Sequence, residues 1–345
     1  MKRRNIIAVA VLIVLICNPW TIRFLKKQFV VVNPNSSIDI AFRHSNNNYA
    51  EEFEHGLLTY DGLSLKLIET DGTERFDVTI NADNYNISTS KNRIFLLDIA
   101  KKNVYILDGK GKIVNQITVD YLPKRVVALD NGNFVVHYFT DVYIEGIKLF
   151  SENGKMLNDI TYPNVTLTLI QGDKNNHFAV LGFFKNGSSL ENSVYFYNYA
   201  GELQYASQIN NVIIHQLLFQ KNKVLMLDIN SILTCDTTFE EVSSMELPLV
   251  LKKVVANEKN IYLLTKDNSI QVMDSEFQNT DQLSSQEKII DMFLVDDKLI
   301  YYTQNSILCN YDKRQFSKDI VKVIPVDDTL IILFKNEIKI IQNDF

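Results

Sequence analysis

From about Phe53 to its last residue, Phe345, the chain repeats one unit: an apolar strand, a turn, a second apolar strand, a polar corner often closed by Gly, and a third strand. The corner is clearest at residues 67–72, 106–111, 149–154 and 196–201, which end in Gly72, Gly111, Gly154 and Gly201. Asp or Asn followed by Gly, or Gly alone, supplies the positive φ that a tight reversal between twisted strands requires. Three further corners align by position at Phe239, Phe277 and Arg314, without the Gly. Successive corners stand about 37 to 47 residues apart, the spacing of four-stranded propeller blades.

A second register runs ahead of the corners, a nearly continuous apolar strand at residues 57–60, 94–97, 134–136, 178–181, 224–227, 261–264, 299–302 and 330–334. Strands apolar on both faces must be covered on both faces, and sheets stacked around an axis do this. The sequence therefore predicts an all-β chain: a single β-propeller of eight four-stranded blades, seven if the weak first unit is not a full blade, preceded by one N-terminal transmembrane helix. The last unit supplies strands only near residues 321–326, 330–334 and 338–341. A strand around Ile38-Asp39-Ile40-Ala41-Phe42-Arg43 is expected to complete it, closing the ring and removing an exposed edge. With only 12 Gly and 6 Pro, Asn and Asp must carry much of the turn chemistry.

The first thirty residues are of another kind. Met1-Lys2-Arg3-Arg4-Asn5 precedes an uninterrupted apolar run at residues 6–17, which reaches the lower limit for crossing a bilayer when extended through Trp20 to Ile22. No small-x-small cleavage site follows, and Ile16 is too large for the residue before a lipoprotein cysteine, so a retained signal anchor is expected. Lys2, Arg3 and Arg4 hold the N-terminus in the cytoplasm by the positive-inside rule, against the weaker opposing pull of Arg23, Lys26 and Lys27. Residues 1–30 are thus read as cytoplasmic stub and anchor, and 31–345 as an extracytoplasmic propeller of a single-pass bacterial membrane protein. Residues 1–30 hold six Lys or Arg and no acid; the remainder carries 29 basic against 41 acidic residues, a net charge of −12. Such a surface repels nucleic acid, anionic headgroups and anionic wall polymers. Cys17 lies in the anchor, and Cys235 and Cys309 fall on equivalent strands two blades apart, where buried thiols rather than a disulfide are expected.

Motifs for chemistry are missing. His44, His55, His137, His177 and His215 show no metal-ligand spacing, and there is no nucleophile elbow or phosphate-binding Gly loop. Asp108-Gly109-Lys110-Gly111 lacks the spaced carboxylates of a calcium loop and reads as a hairpin corner. Asp296-Asp297 and Asp327-Asp328 fall in equivalent turns, where Asp serves geometry. The sequence assigns no catalytic residue, metal site or cofactor. One recurrence points to binding: Arg125-Val126-Val127, Lys253-Val254-Val255, Lys288-Ile289-Ile290 and Lys322-Val323-Ile324 open the innermost strands of four units. Four cations around one channel mouth would focus positive potential on an anionic ligand or an acidic loop; the bland alternative is that Arg125, Lys253, Lys288 and Lys322 cap solvated strand starts. The same mouth should carry the two longest interruptions of the pattern, residues 140–145 and 185–191, with Tyr143, Ile144 and Leu190 as exposed apolar groups.

The charged start, the apolar run and repeats such as Val104-Tyr105-Ile106-Leu107-Asp108-Gly109-Lys110-Gly111-Lys112 and Asn192-Ser193-Val194-Tyr195-Phe196-Tyr197-Asn198-Tyr199-Ala200-Gly201 resemble an uncharacterised family of membrane-anchored propeller proteins from Gram-positive bacteria. The resemblance spans most of the chain, rests on structural corners and implies no activity or site. The corners also resemble those of WD40, quinoprotein-like and NHL propellers, but the Trp docking pattern of quinoprotein repeats is missing, since Trp20 is the only Trp. The resulting expectation is a membrane-tethered, non-catalytic binding or scaffold propeller for a protein partner of the cell envelope or an anionic ligand. Its rival is a propeller hydrolase or lyase acting on envelope carbohydrate, which would need two acids at one cavity, one with a raised pKa.

Overall fold

The structure, a computed structural model, describes residues 37–43, 48–142, 144–172, 177–187, 189–210, 212–220, 223–236, 242–248, 250–309 and 312–345. The expected anchor and Cys17 lie outside these residues, and no described helix is long and apolar enough to cross a membrane. Among the described residues, 32 strands form eight four-stranded antiparallel sheets. Residues 49–79, 85–118, 122–162, 166–210, 216–246, 251–284 and 291–315 supply blades 1 to 7, each from consecutive strands. Blade 8 takes its first three strands from Ile320–Val326, Thr329–Phe334 and Glu337–Gln342, and its outer strand from Ser37–Ala41, paired antiparallel with Ile338 opposite Ile40. This closure and the count of eight are those the repeat predicts.

All eight apolar segments found in the sequence are second strands of blades. Their two faces point into two different seams, and the alternation is visible in blade 2, where Ile94 and Leu96 pack toward blade 1 and Phe95 and Leu97 toward blade 3. The described residues hold eight apolar clusters, one per seam, and the cluster uniting Ile331 and Leu333 with Leu57 closes the circle from blade 8 to blade 1. At roughly 1.5–3 kcal/mol for each fully buried large aliphatic side chain, these seams are the main source of stability. Cys235 and Cys309 are both buried, in the blade 4–5 and blade 7–8 seams, too far around the ring to meet.

The corners between third and fourth strands follow one chemistry. Asp108 accepts from the Lys110 and Lys112 amides at 3.0 and 2.9 Å, and Asn198 and Asp274 repeat this in blades 4 and 6. The left-handed position three residues on is Gly in blades 1 to 4, and Phe277, at φ 62°, in blade 6. Gly is needed there for space as well: a Cβ on Gly111 would lie 2.6 Å from the Phe76 ring of the preceding blade, and one on Gly72 would lie 2.8 Å from Ile38. Each corner therefore docks on the outer strand of the preceding blade. The corner assigned to Phe239 lies outside the described residues. Arg314 is not a corner: Cys309 pairs with Asp312 and Ile307 with Arg314, so Arg314 lies within the ladder of the outer strand of blade 7.

This strand order divides the ring into two faces. The upper face carries the starts of innermost strands and the connections from second to third strands; the lower face carries the Gly corners and the first hairpin turns. Asp296 and Asp297, both at positive φ, form such a lower turn, as their sequence position suggested.

Candidate functional site

Innermost strands present a free edge to the channel, so alternate backbone N–H and C=O groups on them need partners from elsewhere. They find them in the preceding blade. Asn86 Oδ1 accepts from Val126 N–H at 2.6 Å, Ser88 Oγ accepts from Ala128 N–H at 2.9 Å, and Gln216 Nε2 donates to Val254 O at 2.9 Å. Arg125, Lys253 and Lys322 occupy the same strand position as Asn86 and Gln216, one residue before the seam-facing apolar residue. Arg125 Nη2 donates to Thr168 O of blade 4 at 3.0 Å, Lys253 Nζ reaches Asp291 of blade 7 at 2.5 Å, and Lys322 Nζ reaches Ala50 O at 2.9 Å and Glu51 at 2.6 Å. Three of the four cations thus clasp neighbouring blades. Lys288 is exposed and precedes its strand, Asp291–Val295, whose first residue holds the position equivalent to Lys253.

One seam differs in kind. His137, fully buried in the second strand of blade 3, is paired with Arg125 in register, and its Nε2 donates to Glu145 Oε2 at 2.6 Å. The same oxygen accepts the Leu167 N–H of blade 4 at 2.9 Å. Burial, then Arg125 and Lys124, push the His137 pKa down to about 3, and burial also lowers that of Arg125. The sequence signal for this cluster is an ionisable residue at each of two core positions, His137 within Phe134–Phe139 and Glu145 at the head of the next strand.

The upper face carries Leu63, Leu122, Val142, Ile213, Ile229, Val250 and Val321, each an exposed large apolar side chain, with Val142 at 73%. The other exposed large apolar groups among the described residues, Ile38, Ile113, Val114, Met156, Leu157 and Leu203, mark the outer rim beside the Gly corners. Ile144 and Leu190 are half-buried rather than exposed, and Tyr143 lies outside the described residues. Residues 185–191 are not a loop: His177–Asn186 and Ser189–Asn198 continue the ladder to Asn186 opposite Ser189. The hairpin therefore extends past the first strand of blade 4, whose ladder stops at Phe183, by about 10 Å at 3.3 Å per residue. The exposed groups that sequence reading passed over, Leu63, Val142 and Ile229, share a signal: each is apolar inside a turn-forming segment.

At the lower mouth His55 Nδ1 meets Asp327 at 3.0 Å across the blade 1–8 seam. Glu52 reaches solvent beside them, yet partial desolvation and the Asp327 carboxylate raise its pKa, with His55 offsetting in part. Among the described residues, no three His, Cys, Asp or Glu side chains converge as metal ligands would.

No curated protein matches the sequence. Solved structures share the fold at low identity: BamB from Moraxella catarrhalis, with a TM-score of 0.62 at 8% identity over 89% of this chain and 98% of that one; Sqt1 from Saccharomyces cerevisiae, with 0.62 at 10% over 88% and 97%; and the computationally designed Ika8, with 0.63 at 13% over 85% and 95%. They are alike in their ring of blades and carry no further argument at that identity. Residues 26–342, nearly the whole repeat array, match the sequence pattern of the family of unknown function DUF5711, and the chain belongs to that family.

Proposed function

We propose that this is a non-catalytic binding propeller, tethered to a bacterial membrane by residues 6–22 on the extracytoplasmic side, which holds a protein partner of the cell envelope on its upper face. The observation that carries the reading is that this face, among the described residues, sets seven exposed apolar groups from five blades beside the projecting hairpin of blade 4, whereas the other six lie out on the rim against the Gly corners. Exposed apolar groups on a rigid scaffold are what protein interfaces use. The tether supports the same face: Ser37 pairs with Ile341, and Ile38 lies against the Gly72 corner, so the chain arrives at the lower rim. The net charge of −12, from 29 basic against 41 acidic residues beyond residue 30, disfavours polyanions as partners.

A photo-crosslinking residue at Val142 or Ile213 in intact cells should capture one envelope protein, whereas the same residue at Lys259 on the lower face should not. Capture from neither upper position, together with turnover of an envelope glycan by the soluble propeller, would replace this reading with the hydrolase. One observation favours that second reading: Glu52 is a carboxyl with raised pKa beside a second acid, Asp327. Its test is direct, since Glu52→Gln would abolish such turnover.

A further inference from the structure

Glu145 is where the blade 3–4 seam and the upper turn of blade 3 meet. Its carboxylate holds the Leu167 N–H of blade 4, and its backbone, opposite Phe139, starts the strand that follows the turn bearing Val142. Its other ligand is His137, whose Nδ1 is buried and has no hydrogen-bond partner among the described residues; Arg125 Nε is in the same state. The charged groups facing the ring are Lys124 and Arg125 on the first strand and Glu145 on the third; blade 4 contributes the Leu167 amide and Thr168 carbonyl. While the seam is closed, a second proton on His137 would put a buried N–H without an acceptor next to two cations. One carboxylate, already bonded to Leu167, opposes this, and the balance keeps the ring neutral.

We propose that this cluster is an acid-sensitive latch: proton uptake at His137 Nδ1 releases Glu145 from the Leu167 amide and loosens the seam together with the turn that carries Val142. The sign follows from the depressed pKa. The open seam binds the proton below about 6.5 and the closed seam only near 3, so closure is complete above 6.5 and is lost progressively as the pH falls between those values. Any effect on partner binding rests on the upper-face reading given above; the latch itself does not, and failure of either leaves the other standing.

Hydrogen exchange on the full chain at pH 7.5 and 5.5, corrected for intrinsic rates, tests it. Opening at residues 140–147 and 166–168 should rise by up to about tenfold per pH unit below about 6.5, for one linked proton. The Val126 amide, held by the neutral Asn86, should not follow. In His137→Gln, which keeps an N–H for Glu145 and cannot take the proton, the dependence should vanish. Should that variant fail to fold, His137→Asn, which likewise cannot take the proton, serves in its place and should show no dependence. Unchanged protection on acidification, equal loss at every seam, or the full slope persisting in His137→Gln would each overturn the latch.

Discussion

At the residue scale, the corners show how one position can be filled in two ways. Phe277 stands where four other blades have Gly, at φ 62°, a conformation that costs an L-residue about 1–2 kcal/mol. Its ring packs on the blade 5–6 cluster, with Lys223 Nζ 5.8 Å from the ring centre, and that contact offsets the strain. Phe277→Ala loses the contact and keeps the strain, whereas Phe277→Gly loses both. The glycine variant should therefore be the more stable by about 1 kcal/mol in urea unfolding. The converse holds at Gly111, where alanine meets both a positive φ and the Phe76 ring; Gly111→Ala should cost about 2 kcal/mol or more, read in the same way. The sequence displayed the Gly corners plainly and concealed Phe277, because a packed aromatic in a left-handed turn has no compositional signature.

At the scale of the element, Ser37–Ala41 is, among the described strands, the one whose ladder partner is distant in sequence. Its side chains are mostly exposed, and an ion pair of Asp39 with Lys339 at 3.3 Å adds little at such a site. What it covers matters more, since without it the third strand of blade 8, with Ile338, Ile340 and Ile341, is a bare apolar edge. A chain starting at residue 42 should show more concentration-dependent association in size-exclusion chromatography, and a lower Tm, than one starting at residue 31. A peptide of residues 36–43 added in excess should reverse both changes. The sequence located this strand because an incomplete last unit and an unassigned first strand match. It could not show that residues 185–191 lengthen a hairpin, because Asn186-Gly187-Ser188-Ser189 reads equally as a loop and as a turn between paired strands.

For the molecule as a whole, the ring converts side chains scattered along the sequence into two unlike faces. Val142→Glu with Ile213→Glu should leave the unfolding free energy nearly unchanged, within about 1 kcal/mol, because both side chains are exposed. Partner capture in a crosslinking assay should fall by tenfold or more, the effect of losing about 1.4 kcal/mol at an interface; retained capture would remove the upper face from consideration. The sequence by itself determined the blade and its closure and narrowed the count to eight or seven, because those follow from strand alternation and turn chemistry, which are local and recur with a period; the fold has eight. The tertiary structure alone decided what the side chains on the inner strands do. Arg125, Lys253 and Lys322 look in the sequence like a ring of cations awaiting a ligand; in the fold each faces the neighbouring blade's backbone or carboxylate, a partner between about 38 and 272 residues away. The period of the repeat says where such a side chain sits on its own blade; only stacking the next blade beside it shows which unpaired donor or acceptor it meets.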